Sequence, residues 1–211
     1  MAHKLAIFGI SGRTGRELAK IAGLKGWEVR GFVRPTSRID GGIGNCQIVR
    51  GNFEELDRVI ETIADSAAVC CMIGPRPPYT DVFCATATAT IVAAMKQTNC
   101  HRLVCQTGAM IGPALNRSYP MEWLARAFAR WQHEAARDRE EQERLVESSR
   151  LDWPIVKPPR LTDSPPQGRV QTGTLLRIGL LSKISRADLA AFIFDEVQTG
   201  RFVQQRIFVK G

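Results

Sequence analysis

The chain has 211 residues, of which 44% are hydrophobic and 24% are charged, as is typical of a globular protein with one good core. No apolar run approaches the ~20 residues that span a bilayer, and the first residues enter a glycine motif too soon for a secretory signal. The net charge of +8 is spread along the chain, which argues against nucleic acid as a partner. We therefore expect one cytoplasmic domain over residues 1–211, with no membrane or nucleic-acid partner.

Short apolar runs alternate with longer amphipathic runs in the first half of the chain. The predicted elements are, in chain order, a strand from Lys4, a helix from Thr14, strands from Trp27 and Cys46, a helix capped by Asn52, a strand from Ala67, a helix from Thr80 and a strand from Arg102. This alternation is typical of a parallel sheet with crossover helices. It predicts an α/β fold, a Rossmann-like doubly wound parallel sheet with helices on both faces.

The second half of the chain is less regular. Its predicted elements are one charged helix from Met121 to Ser149, a sixth strand from Asp152 that ends at two prolines, a helix from Ser185 and a closing strand from Gln205. Ser185 and Asp188 fit a capping box at the start of the last helix. The mixed charges of "RDREEQER" and the stretch "HEAAR" from His133 are predicted to lie on a solvated helix face.

The six cysteines form no C-x-x-C pair. Cys70, Cys71 and Cys105 lie in apolar runs typical of buried strands, and the pair Cys100–His101 belongs to no recognised zinc spacing. We therefore predict buried, reduced thiols and no metal site.

Gly9, Gly12 and Gly15 follow the first strand and open the first helix. In a dinucleotide-binding turn such glycines permit the tight turn, let the backbone approach a pyrophosphate and let the helix pack against the sheet. The helix N-terminus favours a phosphate. Three side chains add hydrogen-bond donors at the same place: Ser11, Arg13 and Thr14. Because the spacing is G-x-x-G-x-x-G rather than G-x-G-x-x-G, a glycine-rich turn without a ligand remains the alternative.

Basic residues follow the second strand. An enzyme that prefers NAD carries an acid about 20 residues after the glycine motif, whereas this chain has Arg34 and Arg38 there. Because guanidinium groups suit a 2′-phosphate, the sequence favours NADP(H) as the cofactor. The alternative is that both arginines are simply solvated.

The segments that follow the other strands should also border the cofactor, since ligands lie at the carboxyl ends of parallel strands. Phe53 is a candidate to cover an adenine face, Gly74 permits close backbone approach, and Arg76 suits a phosphate or an acidic substrate. The prolines of "PPR" fix a turn that can form a wall near the nicotinamide. These segments are Asn52–Phe53, Ile73–Pro78, Thr107–Met110 and Pro158–Arg160.

The stretches "AIFGISGRTG", "VRPTSRI", "IVAAMK", "QTGAM", "VKPPRL" and "ISRADLA" resemble the atypical short-chain dehydrogenases/reductases, and within them the NADPH-dependent flavin and biliverdin reductases. The resemblance covers nearly the whole chain. It implies a monomeric NADPH-dependent reductase with an open, shallow substrate site over the nicotinamide. Such enzymes reduce flavins such as FMN, linear tetrapyrroles or quinones.

By position, the resemblance also implies a set of cofactor contacts. They are Ser11, Arg13 and Thr14 for the pyrophosphate, Arg34 and Arg38 for the 2′-phosphate, Asn52 and Phe53 for the adenine, Ile73, Gly74 and Arg76 for the ribose and phosphate, and Thr107, Gly108, Pro158, Pro159 and Arg160 for the nicotinamide and substrate edge.

Three positions depart from the family pattern. Gly108 stands where the family has its active-site serine, Arg160 where it has a histidine, and Asn52 where it has an aspartate. The first two departures leave the substrate and any proton relay open. Arg160 can instead hold an anionic group such as a propionate or a flavin phosphate.

No tyrosine of the chain is followed four residues later by a lysine, because Phe83 and Trp123 stand four residues after Tyr79 and Tyr119. Reduction of a carbonyl to an alcohol needs a positioned acid and is therefore not expected. Hydride transfer to a flavin or bilin does not need such an acid, since the acceptor delocalises the charge and water can supply the proton.

The predicted function is therefore NADPH-dependent hydride transfer to FMN or biliverdin. The candidate catalytic residues, which would place the acceptor, are Arg76, Gly108 and Arg160. One alternative is a quinone or other reductase of the same group. The other is a non-catalytic protein that senses NADP(H) and acts through a partner, with the helix from Met121 as its docking surface.

Overall fold

The computed structural model describes residues 3–37, 39, 46–75, 79, 81–112 and 116–211. Their elements are, in chain order, β1 (Lys4–Phe8), α1 (Arg13–Leu24), β2 (Glu28–Val33), β3 (Cys46–Arg50), α2 (Leu56–Ile63), β4 (Ala68–Cys71), α3 (Cys84–Lys96), β5 (Leu103–Gln106), α4 (Tyr119–Trp131), α5 (His133–Glu147), β6 (Pro154–Lys157), β7 (Arg160–Thr162), β8 (Gln171–Gly173), β9 (Lys183–Ser185), α6 (Arg186–Thr199) and β10 (Gln205–Lys210).

Eight strands form one sheet in the order β3-β2-β1-β4-β5-β6-β10-β8. All neighbouring pairs are parallel except β10 and β8, which run antiparallel at the edge. The strand order reverses between β1 and β4, so the crevice that binds ligands in such sheets lies outside the carboxyl ends of these strands. The predicted Rossmann-like α/β sheet is confirmed. The antiparallel edge strand and the separate β7–β9 pair were not predicted.

Apolar side chains alternate between the two faces of the sheet. Leu5 and Ile7 of β1 join one cluster with residues of α1 and α6, and Ala6 and Phe8 join the other cluster with residues of α2, α3 and α5. Helices therefore cover both faces, as predicted. Among the described residues, no helix combines the length and the apolar character needed to cross a membrane.

The second helix begins four residues later than predicted. Asn52 does not cap it, because the backbone N–H and the side-chain amide of Asn52 both donate to the Glu55 carboxylate, at 3.1 and 2.9 Å. These bonds hold a turn, and α2 starts only at Leu56.

The predicted long helix from Met121 is two helices. The backbone leaves the helical region at Gln132 (φ −114°, ψ 52°), which ends α4 and opens α5. The expected solvated face of α5 is also wrong in part. His133, Glu134 and Arg137 are exposed, but four polar residues of "RDREEQER" are buried against α3 and the sheet: Asp138, Arg139, Gln142 and Glu143.

Asp138 gives the buried face of α5 a structural task. Its carboxylate accepts the N–H groups of Cys84 and Ala85, each at 2.8 Å, and so caps the N-terminus of α3 from another helix. The predicted cap of α6 is confirmed, since the Ser185 hydroxyl accepts the Asp188 N–H at 2.9 Å.

Candidate functional site

The glycine turn closes against the neighbouring strand end. Gly9 has φ +87°, and a Cβ there would lie 2.7 Å from the carbonyl carbon of Met72. A Cβ on Gly15 would lie 2.4 Å from the Gly9 carbonyl oxygen, so Gly15 packs against the turn itself rather than against the sheet. Both positions exclude any side chain, and the turn brings backbone N–H groups to the edge of the sheet.

The start of α1 is suited to a phosphate. Its first turn contains no acidic residue, and its N-cap residue, Gly12, has no side chain to bond to the first N–H groups. Thr14 is buried, Ser11 is half-buried and Arg13 is exposed. The Arg13 guanidinium lies 2.5 Å from the Asp163 carboxylate, which also accepts from Arg186 at 2.6 Å. The segment after β7 therefore reaches across to the glycine turn.

Arg34 follows β2 and lies over a cluster of aromatic rings. Its guanidinium donates to Asp81 at 2.7 Å and sits 4.3 Å from the centre of the Phe83 ring. The Phe83 ring stacks on Phe53 at 6.2 Å, and Phe53 is itself buried against Phe32 at 4.9 Å. The structure thus brings Arg34 and Phe53 together, with exposed Asn52 beside Phe53. Arg38 lies outside the described residues.

Among the described residues, the carboxyl ends of β4 and β5 leave an open gap. Ile73 is buried, but a Cβ on Gly74 would meet nothing closer than Arg139 Nη1 at 4.0 Å. A Cβ on Gly108 would meet no atom of the described residues within 4 Å. At the position where the resembled family carries a serine, the described residues therefore leave room for a side chain. Arg76, which follows Gly74, lies outside the described residues.

Arg139 forms the floor beneath this gap, and sequence reasoning missed it. Its Nη1 donates to the Ile73 carbonyl at 2.9 Å, and its Nη2 donates to the Gln106 carbonyl at 3.1 Å. One buried side chain of α5 thereby fixes the ends of β4 and β5 relative to each other. The available signal was the spacing of Ala135, Arg139, Gln142 and Val146, which places them on one helix face.

A buried ion pair, which was not predicted from the sequence either, orients the Thr107 side chain. Its hydroxyl donates to Glu143 Oε1 at 2.7 Å, and the ammonium of Lys157 donates to the same oxygen. Burial lowers the pKa of Lys157, although the Glu143 carboxylate works in the opposite direction. Because the Thr107 hydroxyl donates its proton in the hydrogen bond to Glu143, its oxygen can only accept in any further hydrogen bond.

The loops after β5 and β6 meet. The Ala109 N–H donates to the Pro158 carbonyl at 2.9 Å, which brings Thr107 and Gly108 beside the proline pair. Pro158 and Pro159 are buried, whereas Arg160 is exposed. Arg160 begins β7, and its backbone lies opposite that of Lys183 in the parallel strand β9. The site residues at the ends of β1, β4, β5 and β6 thus follow one edge of the sheet.

Cys84 and Cys100 are poorly suited to nucleophilic chemistry. Five of the cysteines are buried and Cys46 is half-buried, in keeping with the predicted thiols. Burial raises the pKa of Cys84 to about 12 and that of Cys100 to about 11, so neither forms a thiolate near neutral pH.

Comparison with known proteins places this geometry in a family. A family model described as NAD(P)H-binding matches residues 9–199. A short-chain dehydrogenase/reductase (wide type) from Veillonella parvula DSM 2008, solved in complex with NADP, is 16% identical with a TM-score of 0.82, covering 100% of this chain and 95% of that one.

Two solved structures of ChuY are also similar. ChuY from Escherichia coli O157:H7, described as an anaerobillin reductase, is 18% identical with a TM-score of 0.78 over 98% of this chain and 96% of that one. ChuY from the E. coli strain CFT073 is 20% identical with a TM-score of 0.77 over 100% and 97%. At these identities the likeness shows a shared fold.

Proposed function

The chain belongs to the NAD(P)H-binding family, and from that premise we propose that it is an NADPH-dependent reductase that transfers hydride to a flavin or a linear tetrapyrrole. Membership confirms the predicted nicotinamide dinucleotide cofactor and, with it, the broad class of NAD(P)H-dependent oxidoreductases. The choice of NADPH and the acceptor are the parts we propose.

The glycine turn, the uncapped start of α1 and Arg34 support NADPH. Backbone N–H groups at the turn and at the helix start suit the pyrophosphate. Arg34 stands where an NAD-preferring protein would carry an acid, and its guanidinium can pair with a 2′-phosphate. The neighbour from V. parvula, which was solved with NADP, supports the same choice.

The observation that carries the proposed acceptor is the open gap at Gly74 and Gly108. When bound, the cofactor supplies a hydride at its nicotinamide. The described residues leave room for a further atom beside both glycines, which supports a flat acceptor stacked on that ring, and the buried prolines after β6 can form a rigid wall beside it. The Thr107 oxygen is oriented by Glu143 to accept a hydrogen bond at this edge.

An acceptor that spreads negative charge suits this site. Thr107 directs its proton to Glu143, and Gly108 offers no hydroxyl, so these two positions place no acid at the gap. Water supplies the proton more readily to a flavin or bilin than to an isolated carbonyl. Arg160 is exposed beside the proline pair and is our candidate to hold a propionate or phosphate of the acceptor. The description of ChuY as an anaerobillin reductase supports a bilin.

The proposal is tested by following the absorbance of NADPH at 340 nm with FMN, biliverdin, a simple quinone and an aldehyde as parallel acceptors. We expect protein-dependent oxidation of NADPH with FMN or biliverdin and none with the aldehyde. A protein-free mixture of each pair controls for direct reaction of NADPH with the acceptor.

Two results would contradict the proposal. Turnover with the aldehyde alone would mean that the site holds an acid which we have not identified. Binding of NADPH without turnover on any acceptor would favour the alternative of a protein that senses NADP(H).

A further inference from the structure

Asp81 is an acidic side chain at the place where the ribose of the cofactor is expected. It lies three residues before α3, and its carboxylate accepts from the Arg34 guanidinium at 2.7 Å. Arg34 is the residue that supports a 2′-phosphate in the proposed function. The arginine proposed to select NADPH therefore already has an anionic partner within the chain.

The position of Arg34 is fixed from two sides. Asp81 holds the end of the guanidinium, and the Phe83 ring lies 4.3 Å beneath it. Phe83 directly precedes α3 and stacks on Phe53. Arg34 and Asp81 keep 36% and 54% of their side-chain surface exposed, so a ligand can reach both.

A cofactor with a 2′-phosphate and one with a 2′-hydroxyl meet this pair differently. The phosphate can pair with the Arg34 guanidinium, but it must come close to the Asp81 carboxylate or displace it. Two anionic groups beside one cation repel each other. A 2′-hydroxyl carries no charge and can donate to the carboxylate, as it does to the acid of NAD-preferring proteins.

We infer that Asp81 competes with the 2′-phosphate of NADPH for Arg34 and so limits the preference of the site for NADPH over NADH. This inference rests on the proposed function. It assigns the specificity of the site to a pair of residues, one after β2 and one before α3, rather than to Arg34 alone.

The test is the substitution Asp81→Asn, which keeps the size of the side chain and removes its charge. Dissociation constants for NADPH and NADH are measured by titration of the nicotinamide fluorescence. We expect the dissociation constant for NADPH to fall about three- to fivefold, because an exposed ion pair contributes a free energy of about that size. The constant for NADH should stay the same or rise.

Asp195→Asn is a matched control. Asp195 is 51% exposed and pairs with Arg201 beyond the end of α6, so the substitution removes the same charge from a similar pair away from the glycine turn. It should leave both constants unchanged.

Three outcomes of Asp81→Asn would overturn the inference: an unchanged constant for NADPH, a raised constant for NADPH, or equal tightening of NADPH and NADH. The wild-type protein separates these results from failure of the proposed function. If the wild type does not bind NADPH, the proposed function fails, whereas binding by the wild type with no selective gain in Asp81→Asn rejects only the role of Asp81.

Discussion

Glu143 connects the interior of the protein to the edge of the site through one carboxylate. It accepts the Thr107 hydroxyl and the ammonium of Lys157, which is 1% exposed. Removing two charges from water is costly, and such a pair persists only where hydrogen bonds and charge compensate for the lost hydration. Removing one partner should therefore cost far more than removing both.

We predict that Glu143→Leu lowers the free energy of unfolding by about 3–5 kcal/mol, because it leaves the Lys157 charge buried without a partner. Urea denaturation measures this loss. Burial lowers the pKa of Lys157 in the folded state, so between that pKa and the unfolded value the unfolded chain binds the proton more strongly. Stability of the wild type should therefore rise with pH in that window.

The double variant Glu143→Leu with Lys157→Met should recover most of the lost stability. Glu140→Leu, which changes an exposed glutamate of the same helix, should alter stability by no more than about 0.5 kcal/mol. A double variant as unstable as Glu143→Leu would show that the pair does not act as a unit.

At the scale of single residues, the sequence predicted the positions at which the backbone conformation itself excludes a side chain. Gly9 was predicted for the tight turn and Gly15 for packing of the helix against the sheet. The structure shows a close backbone approach at both, but at Gly15 the approach is to the turn itself. Glu143 and Arg139 were missed because the value of a buried charge depends on partners that are distant along the chain. Lys157 and the carbonyls of Ile73 and Gln106 meet them only in the folded protein.

At the scale of elements, α3 and α5 depend on each other. The buried residues of α3 are mostly small, and they pack with α5 against one face of the sheet. The first two N–H groups of α3 are satisfied by Asp138 rather than by a residue of their own segment. The segment that leads into α3 also carries Asp81 and Phe83, so the start of α3 positions part of the candidate site.

We predict that Asp138→Ala lowers the free energy of unfolding by about 1–2 kcal/mol, because one buried and one partly buried N–H group lose their acceptor. Amide hydrogen exchange at Cys84 and Ala85 should accelerate more than exchange near the end of α3. Arg137→Ala, an exposed neighbour, is the control and should change neither quantity. Unchanged exchange at Cys84 and Ala85 in Asp138→Ala would contradict the cap.

The strands of the sheet were predicted well because a strand buried on both faces needs a local run of apolar residues. β1 lies over the predicted run, and β10 begins at Gln205 as expected. The break at Gln132 was not predictable from periodicity, since α4 and α5 each continue a helical pattern and only their different packing separates them. β7, β8 and β9 have three residues each, too few to give a periodic signal.

At the scale of the whole molecule, the net charge of +8 suits an anionic cofactor. A positive field raises the local concentration of a negatively charged ligand and its rate of association. In the described part of the cofactor edge, two arginines nevertheless form ion pairs with acidic residues: Arg13 with Asp163 and Arg34 with Asp81. We therefore expect the overall charge to attract the dinucleotide, and we propose that the Arg34–Asp81 pair affects which dinucleotide is retained.

The most direct test of NADPH recognition at this edge is an equilibrium titration of the wild type and Arg34→Ala with NADPH and NADH. A charge-assisted hydrogen bond to the 2′-phosphate predicts that Arg34→Ala weakens NADPH binding about tenfold or more. The affinity for NADH should change little. Failure of the wild type to bind NADPH, or an equal effect of Arg34→Ala on both dinucleotides, would contradict the placement of the 2′-phosphate at Arg34.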